Sequence, residues 1–159
     1  MSSFGTLHKQ QERYVLRFER HFSKKPEHVF SMITNPDCFI QWYPFATGEL
    51  ELRVGGKIGF DDGEGATYEG VITKLTSPYA FEFQEVNDWI NISLAQEDSG
   101  CMMVFTHLFE DVQMAKYTAA GWHRCLDVFE QIVYEQQVEW KDHAEQLRKY
   151  YEKAFHWAL

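Results

Sequence analysis

Apolar residues change period twice along this chain, from every second residue to every third or fourth. Tyr14, Val15, Leu16, Phe18 and Phe22 fall in a run rich in strand formers, which predicts a strand over 14–22. Ser23 to Pro26 ends it. Pro26 suits a first helical position, where its missing N–H costs nothing, and Val29, Phe30 and Ile33 continue a short amphipathic helix. Asn35-Pro36 restarts the pattern as cap and first residue of a second short helix, which carries Phe39, Ile40 and Trp42 and stops before Pro44.

Strands are then predicted near 46–53, 57–61, 66–75, 79–86, 89–96 and 101–109. Between them stands turn chemistry: Gly55-Gly56, Asp61-Asp62-Gly63, Ser77-Pro78, Asn87-Asp88 and Asp98-Ser99-Gly100. Phe81 and Phe83 share one strand face, and Met103, Phe105 and His107 share another. Short connections force neighbouring strands to pair antiparallel. From Gln113 onward the pattern is helical, with Trp122, Leu126, Phe129, Val133, Trp140, Ala144, Leu147 and Tyr151 at steps of three, four or seven. One helix over 114–155 would run ~60 Å at the α-helical rise, against a radius of gyration near ~15 Å for a domain of this length. Gln137 weakens the apolar stripe, so a bend or break is expected near 135–139.

Strands gathered between helices imply an α+β fold, and a sheet with one buried face must find a cover. The long C-terminal helix is the element large enough to supply it. Residues 1–12 are polar and read as a flexible tail, leaving 13–159 as a single domain.

Composition narrows the function classes. The 159 residues suffice to bury roughly 70% of the unfolded chain's surface. A formal net charge of -9 removes the basic surface that nucleic acid or an anionic membrane requires. No stretch reaches the ~18 apolar residues of a membrane span, and the polar start is unlike a secretory signal. Cys38, Cys101 and Cys125 are odd in number and widely spaced, so neither a disulfide framework nor a metal clip is expected, and a reducing cytoplasm is the simplest location. The seven histidines show no HxxxH or HExxH pattern and no Cys/His pairing, so no metal and no cofactor are expected. No phosphate loop or GxSxG elbow is present, so no catalytic set is assigned.

Several motifs in order carry a family resemblance: Phe18-Glu19-Arg20-His21-Phe22, Pro26-Glu27-His28-Val29-Phe30, Ile33-Thr34-Asn35-Pro36-Asp37 with Trp42, Arg53-Val54-Gly55-Gly56-Lys57-Ile58, Gly70-Val71-Ile72, Phe105-Thr106-His107, and Gly121-Trp122-His123 with Leu126-Asp127. Over residues 14–155 the chain resembles the START-like superfamily, and within it the small stand-alone bacterial homologues of the activator of the Hsp90 ATPase. It departs at Val54, where the family usually has Pro, which affects a turn and not the fold. The resemblance implies a helix-grip fold: a bent antiparallel seven-stranded sheet wrapped around the long C-terminal helix, with two short helices after the first strand and an apolar cavity inside.

Strand period and helix stripe, set in that fold, nominate Trp42, Tyr68, Phe81, Phe83, Trp89, Met103, Phe105, His107, Trp122 and Phe129 as ligand-binding candidates. Each can instead be plain core. Trp89 shares a face with Asn91 and Ser93, so it can also stand at the surface or rim. Tyr68 and His107 would supply the few polar groups that an apolar pocket needs. The stripe Trp140, Leu147, Tyr151 and Phe155 can meet a protein partner or pack on the chain's own sheet. The leading expectation is a domain that binds a small apolar or amphipathic molecule. A protein-interaction role like that of the chaperone activators is the alternative, and a cyclase- or hydrolase-type enzyme the second.

Overall fold

The computed structural model of the chain describes residues 3–159. Among these residues eight strands form where seven were expected. The additional one is Thr6–Gln10 (β1), within the segment that reads as a tail. It pairs antiparallel with Arg13–Phe22 (β2), from Thr6 opposite Arg17 to Gln10 opposite Arg13. An edge strand is held by backbone hydrogen bonds that polar side chains do not disturb, and Leu7 alone turns into the core. Gly5 precedes it where a Cβ would come 2.5 Å from the Phe18 ring, and the Gly5 N–H donates to the Tyr151 hydroxyl at 2.9 Å.

Ala46–Leu50 (β3), Lys57–Asp61 (β4), Thr67–Thr76 (β5), Ala80–Glu85 (β6), Asp88–Glu97 (β7) and Gly100–Phe109 (β8) complete one antiparallel sheet, in the order β1-β2-β8-β7-β6-β5-β4-β3. The glycine pair sits at the turn into β4. Gly55 has φ +83, where a side chain would be strained, and a Cβ on Gly56 would lie 2.0 Å from the Glu51 carbonyl oxygen, which excludes one.

Pro26–Thr34 (α1) and Pro36–Trp42 (α2) are the two short helices, each with proline in its first turn. The Asn35 side chain accepts the Asp37 N–H at 2.8 Å, the cap that its position predicts. Ala115–Val133 (α3) covers the sheet. It stops where Glu135 takes φ 56, and the chain resumes as Ala144–Ala154 (α4). The break falls in the expected region. Gln131 anchors it by accepting the Glu139 N–H at 2.7 Å and donating to the Glu139 carbonyl at 3.2 Å. Folded back on α3, α4 buries Leu147 and Tyr151, with Phe155 just beyond it, so most of that stripe turns inward while Trp140 stays exposed.

Between sheet and α3 the packing is aromatic. Phe105 meets Trp122 with ring centres 4.8 Å apart, Phe22 meets Phe129 edge-on at 5.8 Å, and Trp42 meets Phe129 at 5.1 Å. These arrangements suit ring quadrupoles and add to the area buried. Arg20 also points into this layer and is 1% exposed. It donates to Asp127 Oδ1 at 2.8 Å and lies 3.3 Å from Glu130 Oε1, both on α3. A buried cation needs such partners.

Phe129 is fully enclosed, so Phe129→Ala should cost about 3–5 kcal/mol of stability, read as a lower urea midpoint at unchanged m-value.

Candidate functional site

An open cleft of about 580 Å³ lies at one end of the sheet, where four segments meet. The α2–β3 connection contributes Tyr43, Pro44 and Phe45, and the β6–β7 hairpin contributes Glu85 to Asp88. The end of β8 and the residues after it bring His107 and Phe109 to Asp111, with Met114 just beyond. Helix α3 contributes Thr118, Gly121 and Trp122. Local backbone shapes the mouth. Phe45 (φ 68) and Val86 (φ 57) are in the left-handed region that non-glycine residues rarely adopt, and both side chains are more than half exposed.

Two polar networks stand in the cleft wall. The Trp122 indole N–H donates to His107 Nδ1 at 2.9 Å. Because an indole nitrogen only donates, Nδ1 is the acceptor, and a neutral His107 ring carries its hydrogen on Nε2, which meets Asp88 Oδ2 at 2.8 Å. Both ring nitrogens are therefore committed. His107 serves here to fix Trp122 and to hold Asp88 at the rim, not as an unengaged base. In the second network Glu85 accepts from the Tyr43 hydroxyl at 2.5 Å and from the Tyr68 hydroxyl at 3.0 Å. Burial, with Glu85 adding to it, pushes both phenols up, so they remain donors.

Four carboxylates line the cleft (Glu85, Asp88, Glu110 and Asp111), and its described lining includes no Lys or Arg. Arg13 reaches Glu110 from outside at 2.8 Å.

The structure separates the residues nominated from sequence. His107 and Trp122 line the cleft. Tyr68 adjoins it through Glu85. Trp42, Phe81, Phe83, Met103, Phe105 and Phe129 are enclosed in the packed core at 0–1% exposure. Trp42 is packed by Phe39, Tyr43 and Phe129, and its indole N–H has no acceptor among the described residues. Trp89 is on the opposite face of the sheet, under the Arg13 guanidinium at 5.1 Å. Sequence reasoning passed over Tyr43, Glu85, Asp88, Phe109 and Met114. Most belong to turns or strand ends, where no periodicity marks a facing direction. The left-handed valine in the 85–88 hairpin leaves no signature in the sequence.

A second titratable cluster lies beneath α4. His123 is 2% exposed, its Nδ1 2.8 Å from the Tyr151 hydroxyl and its Nε2 3.7 Å from Asp127 Oδ2. His143 Nε2 is 4.0 Å from the same oxygen. Burial pulls the His123 imidazole down to about 4, with Asp127 opposing and Arg20 and His143 assisting. Burial also pushes Glu130 up against the pull of Arg20. The three cysteines are free, and burial drives the Cys125 thiol up to about 12, as befits a small apolar core residue.

The family model for activator of Hsp90 ATPase homolog 1-like proteins matches residues 23–134, more than half of the chain. The chain belongs to this family. Among solved structures, this family member is similar to a conserved protein of unknown function from Enterococcus faecalis, EF2215, at 19% identity and TM-score 0.82, covering 96% of this chain and 90% of that one. It is also similar to CalU16 from Micromonospora echinospora, at 17% identity and TM-score 0.70 over 96% of both chains. An AHSA1-like protein from Aeromonas hydrophila matches at 23% identity and TM-score 0.65, covering 81% of this chain and 98% of that one. At these identities the likeness is one of fold, and it agrees with the START-like, helix-grip reading, with one more strand than the seven expected. No curated protein matches the sequence. Among the described residues no helix is long and apolar enough to cross a membrane.

The His123 cluster carries a pH signature. Unfolded, His123 titrates near its ordinary 6.5, whereas folded it stays neutral down to about 4. Between those values the unfolded His123 binds more protons, so its contribution to stability is constant above about 6.5 and falls as pH drops toward 4, by up to about 1.4 kcal/mol per pH unit. Glu130 works in the opposite sense, because its raised folded value favours proton uptake in the native state. In chelator-containing buffer, urea midpoints from pH 8 to 4 should decline more steeply for the native chain than for His123→Asn.

Proposed function

We propose that this member of the family binds a small amphipathic molecule in the cleft beside Trp122, with the apolar body on the rings and a cationic group toward the carboxylates. The observation that carries the reading is the lining itself. Tyr43, Phe109, Met114 and Trp122 offer apolar and aromatic surface, while Glu85, Asp88, Glu110 and Asp111 surround it with negative charge. The volume suits one small molecule. Aromatic faces attract a cation, and they do so most strongly where water is partly excluded. Exposed apolar side chains held in strained backbone at the mouth, Phe45 and Val86, support a role in contact with a ligand, since such strain persists where it serves a function. His107 and Trp122 come from the set nominated by sequence. The core residues of that set act by shaping the wall behind them.

The test compares two surfactants of equal chain length below their micelle concentrations, dodecyltrimethylammonium and dodecanoate, by isothermal titration and tryptophan fluorescence. The ammonium compound should bind saturably at one per chain and at least tenfold more tightly than the carboxylate, and its affinity should fall as salt rises. Met114 is half exposed at the rim, so Met114→Arg should weaken the ammonium compound at least tenfold without lowering the unfolding midpoint. Absence of saturable binding, or equal affinity for the two compounds, overturns the proposal.

A further inference from the structure

The cluster beneath α4 has the features of a metal site, and it lies apart from the ligand cleft. His123 and Asp127 are one helical turn apart, four positions along α3, so both side chains leave the same face. The segment that precedes α4 brings His143 to them. One ligand atom from each of the three residues lies within 4.8 Å of the other two, and Asp127 Oδ2 is 3.7 Å from His123 Nε2 and 4.0 Å from His143 Nε2.

We propose that His123, Asp127 and His143 bind a first-row divalent metal ion, with zinc the expected occupant.

Two imidazoles and one carboxylate are a donor set suited to Zn²⁺, and three protein ligands leave the fourth tetrahedral position to water. The supporting contacts are already in place. Tyr151 Oη lies 2.8 Å from His123 Nδ1, Arg20 holds Asp127 Oδ1 at 2.8 Å, and the Lys141 carbonyl is 3.2 Å from His143 Nδ1. In each ligand the atom turned away from the cluster is thus engaged, which orients the atom turned toward it, as outer-shell partners do in metal sites. Metal–nitrogen bonds of about 2.0–2.1 Å need donor atoms roughly 3.3 Å apart. The separations, 3.7 and 4.0 Å to Asp127 and up to 4.8 Å across the group, close with side-chain rotations, and His143 is half-buried on the non-helical segment before α4.

Access and charge agree with this assignment. A surface cleft of about 430 Å³ reaches Asp127 and His143 and gives an ion a way in. At the cluster itself Asp127 supplies the carboxylate that would meet the ion, its other oxygen held by Arg20. Once bound, the ion would fasten the α3–α4 connection to α3.

The sequence holds a partial signal, a His and an Asp at helical spacing. A search for HxxxH or Cys/His pairs passes over it, because the third ligand comes from beyond a helix break.

The test uses the full chain, stripped with chelator and titrated with zinc chloride. Elemental analysis after desalting and isothermal titration should both give one zinc per chain. His143→Ala should weaken binding by at least about 100-fold, and Tyr151→Phe, which removes the hydroxyl that orients His123 and also accepts the Gly5 N–H, by about tenfold. Cobalt(II), used as a spectral probe, should give the intense visible bands of a tetrahedral ion with the native chain and lose them in His143→Ala. His21→Ala, at an exposed His–Glu pair elsewhere, should change neither readout. Where His143→Ala lowers the unfolding midpoint in chelator, His143→Gln replaces it with the same expectation. Zinc bound equally well after loss of His143, or less than one ion per chain at saturation, overturns the assignment.

Discussion

The indole of Trp122 belongs to the core and to the wall of the cleft at once, and that double membership organises the molecule. One edge of the ring packs on Phe105 and Tyr43, which ties α3 to the sheet and to the end of α2. Its N–H is accepted by His107, which in turn holds Asp88 at the rim. Rotating or losing the ring would remove the wall of the cleft and the N–H donor that sets the His107 tautomer. It would also remove the Phe105 contact between helix and sheet. Core packing and site geometry are therefore set by the same contact.

Arg20 imposes a second constraint from the other end of α3. A guanidinium enclosed under a helix is tolerable only with its charge balanced, and Asp127 and Glu130 on consecutive turns supply the balance. Those carboxylates hold α3 at one rotation about its axis. At that rotation Trp122 and Phe129 face the sheet while His123 turns toward α4 and Tyr151. A purely apolar stripe would slide by a turn at little cost, whereas an ion pair of fixed geometry does not. The polar cluster thus sets the register that the apolar contacts exploit.

Most of the fold was legible in the sequence because its signals are local. Pro26, Asn35 and Pro36 place the two short helices by their own backbone chemistry. Gly55-Gly56 marks a turn in which Gly56 has no room for a side chain. The break after α3 followed from length against domain size. β1 was not legible, because an edge strand with one inward leucine has no alternation to detect, and its stability comes from pairing with β2. The candidate site was legible only in part. Strand period says which way Phe81, Met103 and Phe105 point, but not whether space remains in front of them. The bulk of Trp42, Phe83 and Phe129 fills that space.

This filling accounts for where the cleft lies. START-like architecture leaves an interior between sheet and helix, and what occupies it is decided by side-chain volume. Here thirteen phenylalanines and five tryptophans are available, and rings from α2, α3 and the strands meet at centroid distances of about 5–6 Å across the middle. Interiors at such contact distances have no room for a guest. Open volume survives where the layers diverge, beyond the last inward ring of β8 at Phe109 and beside Gly121, whose missing side chain meets nothing within 4 Å. Substitution at the rim can therefore alter the cleft while the ring-packed interior stays intact.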